Sequence, residues 1–233
     1  LWRMQGELYR HVEGRRTLRF ERDHRSFFIK IHAGVGWGEI FKNLLTLRLP
    51  VIGARNEYLA IRYLENLGLA APKMMAYAEI GRNPAARRSL IVTEDLGDSI
   101  SLEDLCRNWP QQPPDFVAKQ RLIEEVADIA RRLHVSGANH RDFYLCHFLR
   151  RAADGRLYLI DLHRAQIRKR VPRRWLVKDL AGLYFSSMDV GLTQRDRLRF
   201  MKRYSGKTTR DMFGKDRGLW AAVVERGQRL YEQ

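Results

Sequence analysis

The stretch that decides the fold is HRDFYLCH at residues 140–147, followed by the apolar run LYLID at residues 157–161. The first segment follows a helical pattern that ends at Gly137, so Asp142 is predicted to lie on a loop. The second segment is typical of a short buried strand, and it ends on Asp161. A carboxylate on a loop suits a proton acceptor, whereas a carboxylate at the end of a buried strand requires a cation.

These two carboxylates suit phosphoryl transfer. Because that reaction needs little covalent help from the protein, the site must mainly orient a hydroxyl and hold metal against the phosphates. Asp142 is the candidate for the first task and Asp161 for the second. The two segments therefore predict an active site for phosphoryl transfer.

The composition predicts a globular protein with a basic surface. A chain of 233 residues fits one large domain or two small lobes, and it can bury roughly 70–75% of its unfolded surface. Apolar residues at 45% and aromatic residues at 10% exclude a disordered tail protein. The net charge of +16 favours anionic partners such as nucleic acid, acidic lipid or a phosphorylated sugar, and composition does not choose among them.

The cysteines and the hydropathy pattern bear on compartment and membrane. Cys106 and Cys146 are 40 positions apart, which fits neither a disulfide framework nor a zinc cluster and favours a reducing compartment. No run approaches the length of about 18 apolar residues that a membrane span needs. We therefore expect a soluble or peripheral protein.

The first part of the chain is β-rich. Residues 8–12, 17–20 and 26–31 are β-compatible and are separated by turn residues, which predicts an antiparallel meander. Residues 54–67 have helical periodicity, and Glu57 falls on the apolar stripe, where a carboxylate needs a cation. Two further strands, at 74–77 and 89–93, are predicted after this helix.

The pattern becomes helical from Ser101. Ser101 and Asp104 form a candidate capping box, and Asp115 introduces a longer helix that Gly137 ends. Further helices are predicted at 178–187, 195–204 and 219–231. We therefore predict a two-lobed α+β enzyme, with a β-rich lobe at 1–96 that contains one long helix and a helical lobe at 97–233.

In its order of elements the chain resembles the protein-kinase-like fold, and DLHRA at 161–165 and KDLA at 178–181 resemble the lipopolysaccharide core heptose(I) kinases. The resemblance covers about residues 6–231. It implies a small antiparallel-sheet N-lobe, a mainly helical C-lobe and ATP-dependent phosphorylation of a heptose hydroxyl of the lipopolysaccharide inner core. It also implies a cytoplasmic protein, peripheral on the inner membrane, that acts in outer-membrane lipopolysaccharide biosynthesis.

The resemblance assigns ATP binding to four residues. Lys30 lies in an apolar strand, where a lone ammonium is costly unless it is paired, although an edge-strand lysine could keep its head in water. By resemblance, Lys30 holds the α- and β-phosphates and Glu57 fixes its ammonium. Adenine is expected against the carbonyl of Glu94 and the amide of Leu96, in a segment that also reads as an ordinary interlobe loop.

Two glycine-containing segments are candidates for covering the phosphates. The cluster GVGWG at 34–38 follows Lys30 instead of preceding it, and we interpret it as a loop toward the next helix. The nucleotide-covering turn is therefore expected at 12–16, where Gly14 is the one glycine.

The resemblance also assigns the catalytic loop. Asp142 accepts the hydroxyl proton or orients the hydroxyl, and His140 supports the loop backbone. Asp179 is expected to open a helix and to accept hydrogen bonds from this loop. The alternative for Asp179 is a simple N-terminal helix charge.

The metal site is predicted at Asp161, which by resemblance holds Mg²⁺ on the ATP phosphates. His147 stands where kinases usually carry a metal-binding Asn. Imidazole is a poor ligand for hard Mg²⁺, so His147 is equally a candidate for a hydrogen-bonded core residue. After Asp161, Leu162-His163-Arg164 departs from the usual Phe-Gly, so an activation-loop flip is not assumed.

Basic residues are dense between Asp161 and Asp179. They suit phosphates and sugar acids of the acceptor, although a basic run is usually a solvated face. The acceptor-binding candidates are Arg164, Arg168, Arg170 and Arg173. A later helix adds candidates for an anionic membrane surface, namely Arg195, Arg199, Lys202 and Arg203.

Three other functions remain open from the sequence. A protein kinase, including a tyrosine kinase, would use the same residues, and so would a phosphotransferase for a cationic antibiotic. The net charge opposes the antibiotic kinase because a cationic acceptor would be repelled. A kinase-like scaffold could bind an anionic partner, for which an acidic protein is a better candidate than nucleic acid.

Overall fold

A computed structural model describes residues 7–12, 14–34, 36–45 and 53–233 of the chain. The chain divides into two compact units, one formed by Leu1–Ser99 with Ala153–Arg164 and the other by Ile100–Ala152 with Ala165–Gln233. The division predicted from the sequence is a single cut after residue 96. The structure instead groups the segment that contains Asp161 with the first unit.

The helices and strands follow the change from β to α along the chain. The strands are β1 (Glu7–Val12), β2 (Arg15–Arg22), β3 (Arg25–His32), β4 (Met74–Ile80), β5 (Arg88–Glu94), β6 (Ser99–Ser101), β7 (Ala138–Asn139), β8 (Phe148–Arg151), β9 (Leu157–Leu159) and β10 (Gln166–Ile167). The helices are α1 (Gly36–Leu45), α2 (Arg55–Asn66), α3 (Leu102–Cys106), α4 (Phe116–Val135), α5 (Arg173–Ser186), α6 (Gln194–Ser205), α7 (Thr209–Gly214) and α8 (Arg217–Tyr231).

The first unit contains a five-stranded antiparallel sheet in the order β1-β2-β3-β5-β4. The predicted meander is confirmed. The β2–β3 turn is made by Asp23 and His24, both at positive φ (52° and 57°), which matches the right-handed twist of the flanking strands. One face of the sheet buries alternate residues of β3, Phe27, Ile29 and Ile31.

Two helices accompany this sheet. In α2 the buried stripe contains Glu57 beside Ala60, Ile61 and Leu64, as the periodicity predicts. The interpretation of 34–38 as a loop is wrong in part, because α1 begins at Gly36. Glycine has low helix propensity, which hid this helix from the sequence pattern.

The second unit is helical, and its first helices have the predicted caps. The Ser101 hydroxyl accepts from the Asp104 amide at 3.0 Å at the start of α3. Asp115 caps α4 by accepting from the Val117 and Ala118 amides at 2.9 and 3.0 Å. The chain leaves α4 through Gly137, at a φ of 96°, where an added Cβ would meet the Arg168 carbonyl.

The later helices differ from the sequence prediction in their starts and number. Helix α5 begins at Arg173 instead of Lys178, because Pro172 precedes a polar first turn that lacks apolar periodicity. Helix α7 was not predicted, whereas α6 and α8 match the expected segments within two residues. Helix α5 packs on α8 at Gly227, where an added Cβ would lie 2.5 Å from the Tyr184 ring.

In the ranges that the structure describes, no helix combines the length and apolarity that crossing a bilayer requires.

Candidate active site

Lys30 and Glu57 form the centre of the site in the first unit. Lys30 lies on β3, opposite Thr17 and Ile91, and its Nζ is 2.6 Å from Glu57 Oε1. The lysine side chain is 18% exposed and the glutamate 5%. A charge-assisted hydrogen bond at this depth holds the ammonium in one place. The strand lysine therefore has the carboxylate partner that its apolar neighbours require.

Asp161 completes this cluster. Its Oδ1 lies 3.7 Å from Lys30 Nζ and 2.6 Å from His163 Nδ1. The Leu159 amide donates to the Ala70 carbonyl at 2.9 Å, and α2 packs on the turn at 162–164. These two contacts place Asp161 beside Lys30. Asp161 has a φ of 57°, an uncommon backbone conformation for a residue with a side chain and one that clusters at functional sites.

A buried histidine adjoins the cluster. His32 lies two residues after Lys30 at the end of β3 and is buried. Burial, and then the positive charges of Arg15 and Lys30, lower the pKa of His32 to about 4. His32 is therefore neutral near pH 7. Sequence reasoning missed it, because His32 lies one residue past the predicted strand at 26–31 and belongs to no motif.

The end of β5 carries the two residues predicted to face adenine. The Glu94 amide donates to the Lys73 carbonyl at 2.8 Å, and the Glu94 carboxylate binds Arg25 Nη2 at 2.5 Å. In the described part of the chain, the Leu96 amide makes no hydrogen bond. A donor is thus available just past the strand.

Gly14 lies at the turn predicted to cover the phosphates. It has a φ of 75°, and its carbonyl accepts from the Ala33 amide at 2.9 Å. Glu13 lies outside the described residues, as do the side chains of residues 9–12 in β1. The remaining part of the predicted covering turn is the start of β2.

In the second unit, Asp179 holds the loop that carries Asp142. The Asp179 side chain is fully buried on α5, where Oδ2 accepts from the His140 amide at 2.6 Å and Oδ1 accepts from the Arg141 amide at 2.8 Å. Asp179 does not open a helix, since α5 begins at Arg173. The alternative of an N-terminal helix charge is therefore excluded. The two bonds hold Arg141 at a φ of 76°.

A second layer of buried polar groups backs Asp179. His134 on α4 places Nε2 at 3.3 Å from Asp179 Oδ2 and Nδ1 at 2.8 Å from the Tyr204 hydroxyl on α6. Burial, and then the nearby Asp179 carboxylate, raise the pKa of Tyr204. Sequence reasoning missed both residues because each lies on an apolar helix face.

Asp142 itself is half-buried, and its nearest recorded cation is Lys178. Lys178 Nζ lies 3.8 Å from Asp142 Oδ1, and the Asp142 side chain is 15% exposed. His147 Nδ1 donates to the Asp142 carbonyl at 2.6 Å, and its ring stacks on His140 with centroids 5.6 Å apart. This contact favours loop support by His147 over metal ligation.

The predicted acceptor arginines do not form one group. Arg164 belongs to the first unit, whereas Arg168, in the second, donates to Asn139 Oδ1 at 2.7 Å. Arg170 and Arg173 are exposed. In the later basic set two members have carboxylate partners, since Arg199 pairs with Asp196 and Arg203 with Asp128. These pairs reduce the positive charge that the α6 face offers to a membrane.

Comparison with known proteins identifies close relatives over nearly the whole chain. The chain is 49% identical over 236 residues to the lipopolysaccharide core heptose(I) kinase WaaP of Pseudomonas aeruginosa, covering 99% of this chain and 88% of that protein. It is 48% identical to the heptose(I) kinase WaaP of Escherichia coli K12, covering 99% of this chain and 89% of that protein.

Solved structures agree with the fold. A structure of WaaP in complex with acyl carrier protein matches with a TM-score of 0.84 and 43% identity, covering 98% of this chain and 90% of that chain. The kinase PK-1 of Cydia pomonella granulovirus matches with a TM-score of 0.51 and 13% identity, covering 85% of this chain and 73% of that chain, and shows the fold alone. The predicted kinase-like α+β fold is confirmed. The lipopolysaccharide kinase (Kdo/WaaP) family model matches residues 1–204, and the chain belongs to that family.

Proposed function

We propose that this chain transfers a phosphoryl group from ATP to a heptose hydroxyl of the lipopolysaccharide inner core. The observation that carries the proposal is Asp142, a half-buried carboxylate on a loop whose backbone is bonded to the buried Asp179. Identity of 49% to a heptose(I) kinase supports the same acceptor class. The family also favours this function over the protein-kinase and scaffold alternatives.

The first unit is proposed to bind the nucleotide. Lys30, held by Glu57, would neutralise the α- and β-phosphates. The Glu94 carbonyl and the unbonded Leu96 amide would accept and donate hydrogen bonds to adenine. A bound nucleotide would therefore meet one fixed cation and one free backbone donor in this unit.

Asp161 is proposed as the Mg²⁺ ligand. Its carboxylate oxygens are the hard ligands that this ion prefers, and His163 fixes their orientation through its bond to Oδ1. When bound, Mg²⁺ supplies charge neutralisation on the transferring phosphates. His147 is the poorer candidate because its Nδ1 already donates to the Asp142 carbonyl.

The second unit is proposed to activate the acceptor. Asp142 would accept the hydroxyl proton while the hydroxyl oxygen bonds to the γ-phosphorus, the bond from that phosphorus to the β,γ-bridging oxygen breaks, and ADP leaves. Lys178, whose Nζ lies 3.8 Å from Asp142 Oδ1, would help to orient this carboxylate toward the hydroxyl. Asp179 and His147 are positioning residues that hold the backbone on both sides of Asp142.

The proposal is tested by incubating the protein and labelled ATP with core lipopolysaccharide that lacks heptose phosphate. Label should appear on the saccharide and, after hydrolysis, on heptose. The Asp142→Asn variant is the control, and it should leave the saccharide unlabelled. Label on the protein alone would support the protein-kinase alternative instead.

An acidic carrier protein is the partner that the second unit suits best. The related WaaP structure contains acyl carrier protein, and the net charge of +16 favours an acidic partner. A cavity of about 770 Å³ in the second unit is lined by apolar side chains that include Leu122, Ile123, Leu183, Phe200 and Val223. Such a cavity has room for a hydrocarbon chain.

Binding to acylated and unacylated forms of the carrier protein tests this partner. Because each buried CH₂ contributes about 0.8 kcal/mol, the acylated form should bind at least about tenfold more tightly. Equal affinity for both forms would remove the cavity from the interaction.

Flotation with vesicles of anionic lipid tests the separate proposal of a peripheral membrane location.

A further inference from the structure

Four cations surround one indole in the second unit. The ring of Trp175, in the first turn of α5, has Arg141 Cζ at 4.9 Å, Arg174 Cζ at 5.3 Å, Arg168 Cζ at 5.8 Å and Lys178 Nζ at 5.9 Å from its centroid. Each distance is within the range of a cation–π contact. We call these five residues the indole cluster. No sequence pattern predicted it, because Trp175 falls in a segment that reads as a polar connection.

The indole cluster brings four positively charged side chains together. Burial, and then the positive charge of Arg174, lower the pKa of Arg168. Among the residues that the structure describes, no carboxylate forms an ion pair with Arg168 or Arg174. Lys178 Nζ lies 3.8 Å from Asp142 Oδ1. Like charges held this close repel one another, so the cluster favours an anion.

The helix end adds to the positive potential. Pro172 precedes α5 and supplies no side-chain cap, and the first turn has no acidic residue. Arginines at the positive end of a helix dipole oppose its normal preference for negative charge. In the described residues, the buried Trp175 Nε1 also has no hydrogen-bond acceptor. The indole cluster thus holds one N–H donor and two guanidinium groups without a carboxylate partner in the described ranges, and Lys178 of the same cluster lies 3.8 Å from Asp142.

We propose that the indole cluster is the subsite for a negatively charged sugar of the acceptor, carrying a carboxylate or a phosphate close to the hydroxyl that is phosphorylated. This inference rests on the proposed function. The guanidinium groups of Arg168 and Arg174 would bind the anion, and the indole would contact the sugar ring. Lys178 joins this subsite to Asp142. The sequence favoured Arg168 as well as Arg170 and Arg173, and in the described part of the chain the last two make no cation–π contact with the indole.

Kinetics with matched variants test the subsite. Arg174→Gln and Arg168→Gln each remove one cluster charge, whereas Lys169→Gln removes an exposed charge in the same segment that makes no recorded contact with the ring. With deacylated core oligosaccharide lacking heptose phosphate, each cluster variant should raise the acceptor KM at least about tenfold. Its KM for ATP and the acceptor KM of the lysine variant should not change. Equal acceptor KM values in all three variants and the wild type would overturn the subsite.

The indole has its own variants. Trp175→Ala should raise the acceptor KM as the arginine variants do, and Trp175→Phe should recover part of the loss because phenylalanine keeps an aromatic face. Melting temperatures identify a variant that fails to fold. If Trp175→Ala fails to fold, the test relies on Arg174→Gln, because Arg174 is exposed. A normal acceptor KM in a folded Trp175→Ala protein would remove the indole from the proposal.

Modified acceptors identify the anion. Reduction of the sugar carboxyl groups to alcohols should raise the wild-type KM about tenfold if the anion is a carboxylate, and phosphatase treatment should do so if it is a phosphate. The Arg174→Gln protein should be insensitive to the same modification. If neither modification changes the wild-type KM, the subsite is wrong.

A readout without turnover separates the subsite from the proposed function. Calorimetry of oligosaccharide binding should show the same loss in the cluster variants as the kinetics. If the wild type phosphorylates no core saccharide but its binding still depends on Arg174, the function fails and the subsite stands. If the wild type is active and all variants bind equally, only the subsite fails.

Discussion

The two units balance the charges of their candidate functional residues in opposite ways. In the first unit, Lys30 lies between Glu57 and Asp161, so a buried cation has two carboxylates within 4 Å. In the second unit, four cations lie around Trp175, and one of them, Lys178, has Asp142 at 3.8 Å. The first arrangement has its counter-charges within the protein. In the second, the proposed anionic acceptor would supply the balancing charge.

The two units also position their candidate functional groups by different means. Lys30 is positioned through a side-chain bond between a strand and a helix. Asp142 is positioned through its neighbours' backbone, since Asp179 binds the amides of His140 and Arg141. A change in one unit should therefore alter one half of the reaction and leave the other unchanged. Variants in each unit test this separation.

The largest effect is expected from Asp142→Asn. Loss of the proton acceptor should lower kcat by about 10²- to 10⁴-fold, which is the usual contribution of a general base. ATP affinity, measured by calorimetry, should not change, because Asp142 and Lys30 belong to different units. The melting temperature provides the control for folding. A variant with wild-type turnover would show that the base lies elsewhere.

The next effect concerns stability and the neutral histidine of the first unit. Because burial lowers the pKa of His32 to about 4 while an unfolded histidine titrates near 6.5, the unfolded chain binds the extra proton first as pH falls. Stability should be full above pH 6.5 and should decrease by on the order of 3 kcal/mol as the pH drops to about 4.

Urea unfolding between pH 4 and 7 measures this slope in the wild type and in His32→Gln. Other groups contribute to the pH dependence, so the difference between the two proteins is the relevant quantity. The control is His24→Asn, which changes an exposed histidine and keeps a residue that tolerates positive φ. Parallel slopes for His32→Gln and the wild type would contradict the assigned pKa.

A smaller effect is expected from Asp161→Asn. Loss of the carboxylate should weaken Mg²⁺-dependent ATP binding by about 10- to 100-fold, since a charge-assisted metal contact is removed. Affinity for the acceptor oligosaccharide should not change. His163→Gln keeps a hydrogen-bonding side chain beside Asp161 and should cost less. Calorimetry with and without Mg²⁺ distinguishes a metal ligand from a purely structural carboxylate.

The smallest effect is expected from Tyr204→Phe. This change removes the hydroxyl that binds His134 and should lower stability by about 1 kcal/mol. Because His134 contacts Asp179, kcat should fall severalfold while the KM for ATP is unchanged. The control is Tyr231→Phe, which removes an exposed bond to Asp189. Equal kcat values in the two variants would separate the tyrosine network from the catalytic loop.

Much of the fold could be predicted from local sequence. Alternation in β3, the caps at Ser101 and Asp115 and the turn at Gly137 each depend on residues within a few positions of one another. The start of α5 and the presence of α1 could not be predicted in this way. Arginines and glycines weaken the periodic signal there, and tertiary packing overrides local propensity.

The sequence by itself determined which groups can carry charge chemistry: Lys30 in an apolar strand, Glu57 on an apolar helix face, and Asp142 and Asp161 at the ends of defined segments. Only the tertiary structure decided that His163 binds Asp161, that Tyr204 and His134 back Asp179, and that four cations meet at Trp175. A charge in an apolar segment needs a partner, and a sequence shows where such charges occur. Most of these partners come from elements tens of residues apart, and their positions depend on how helices pack.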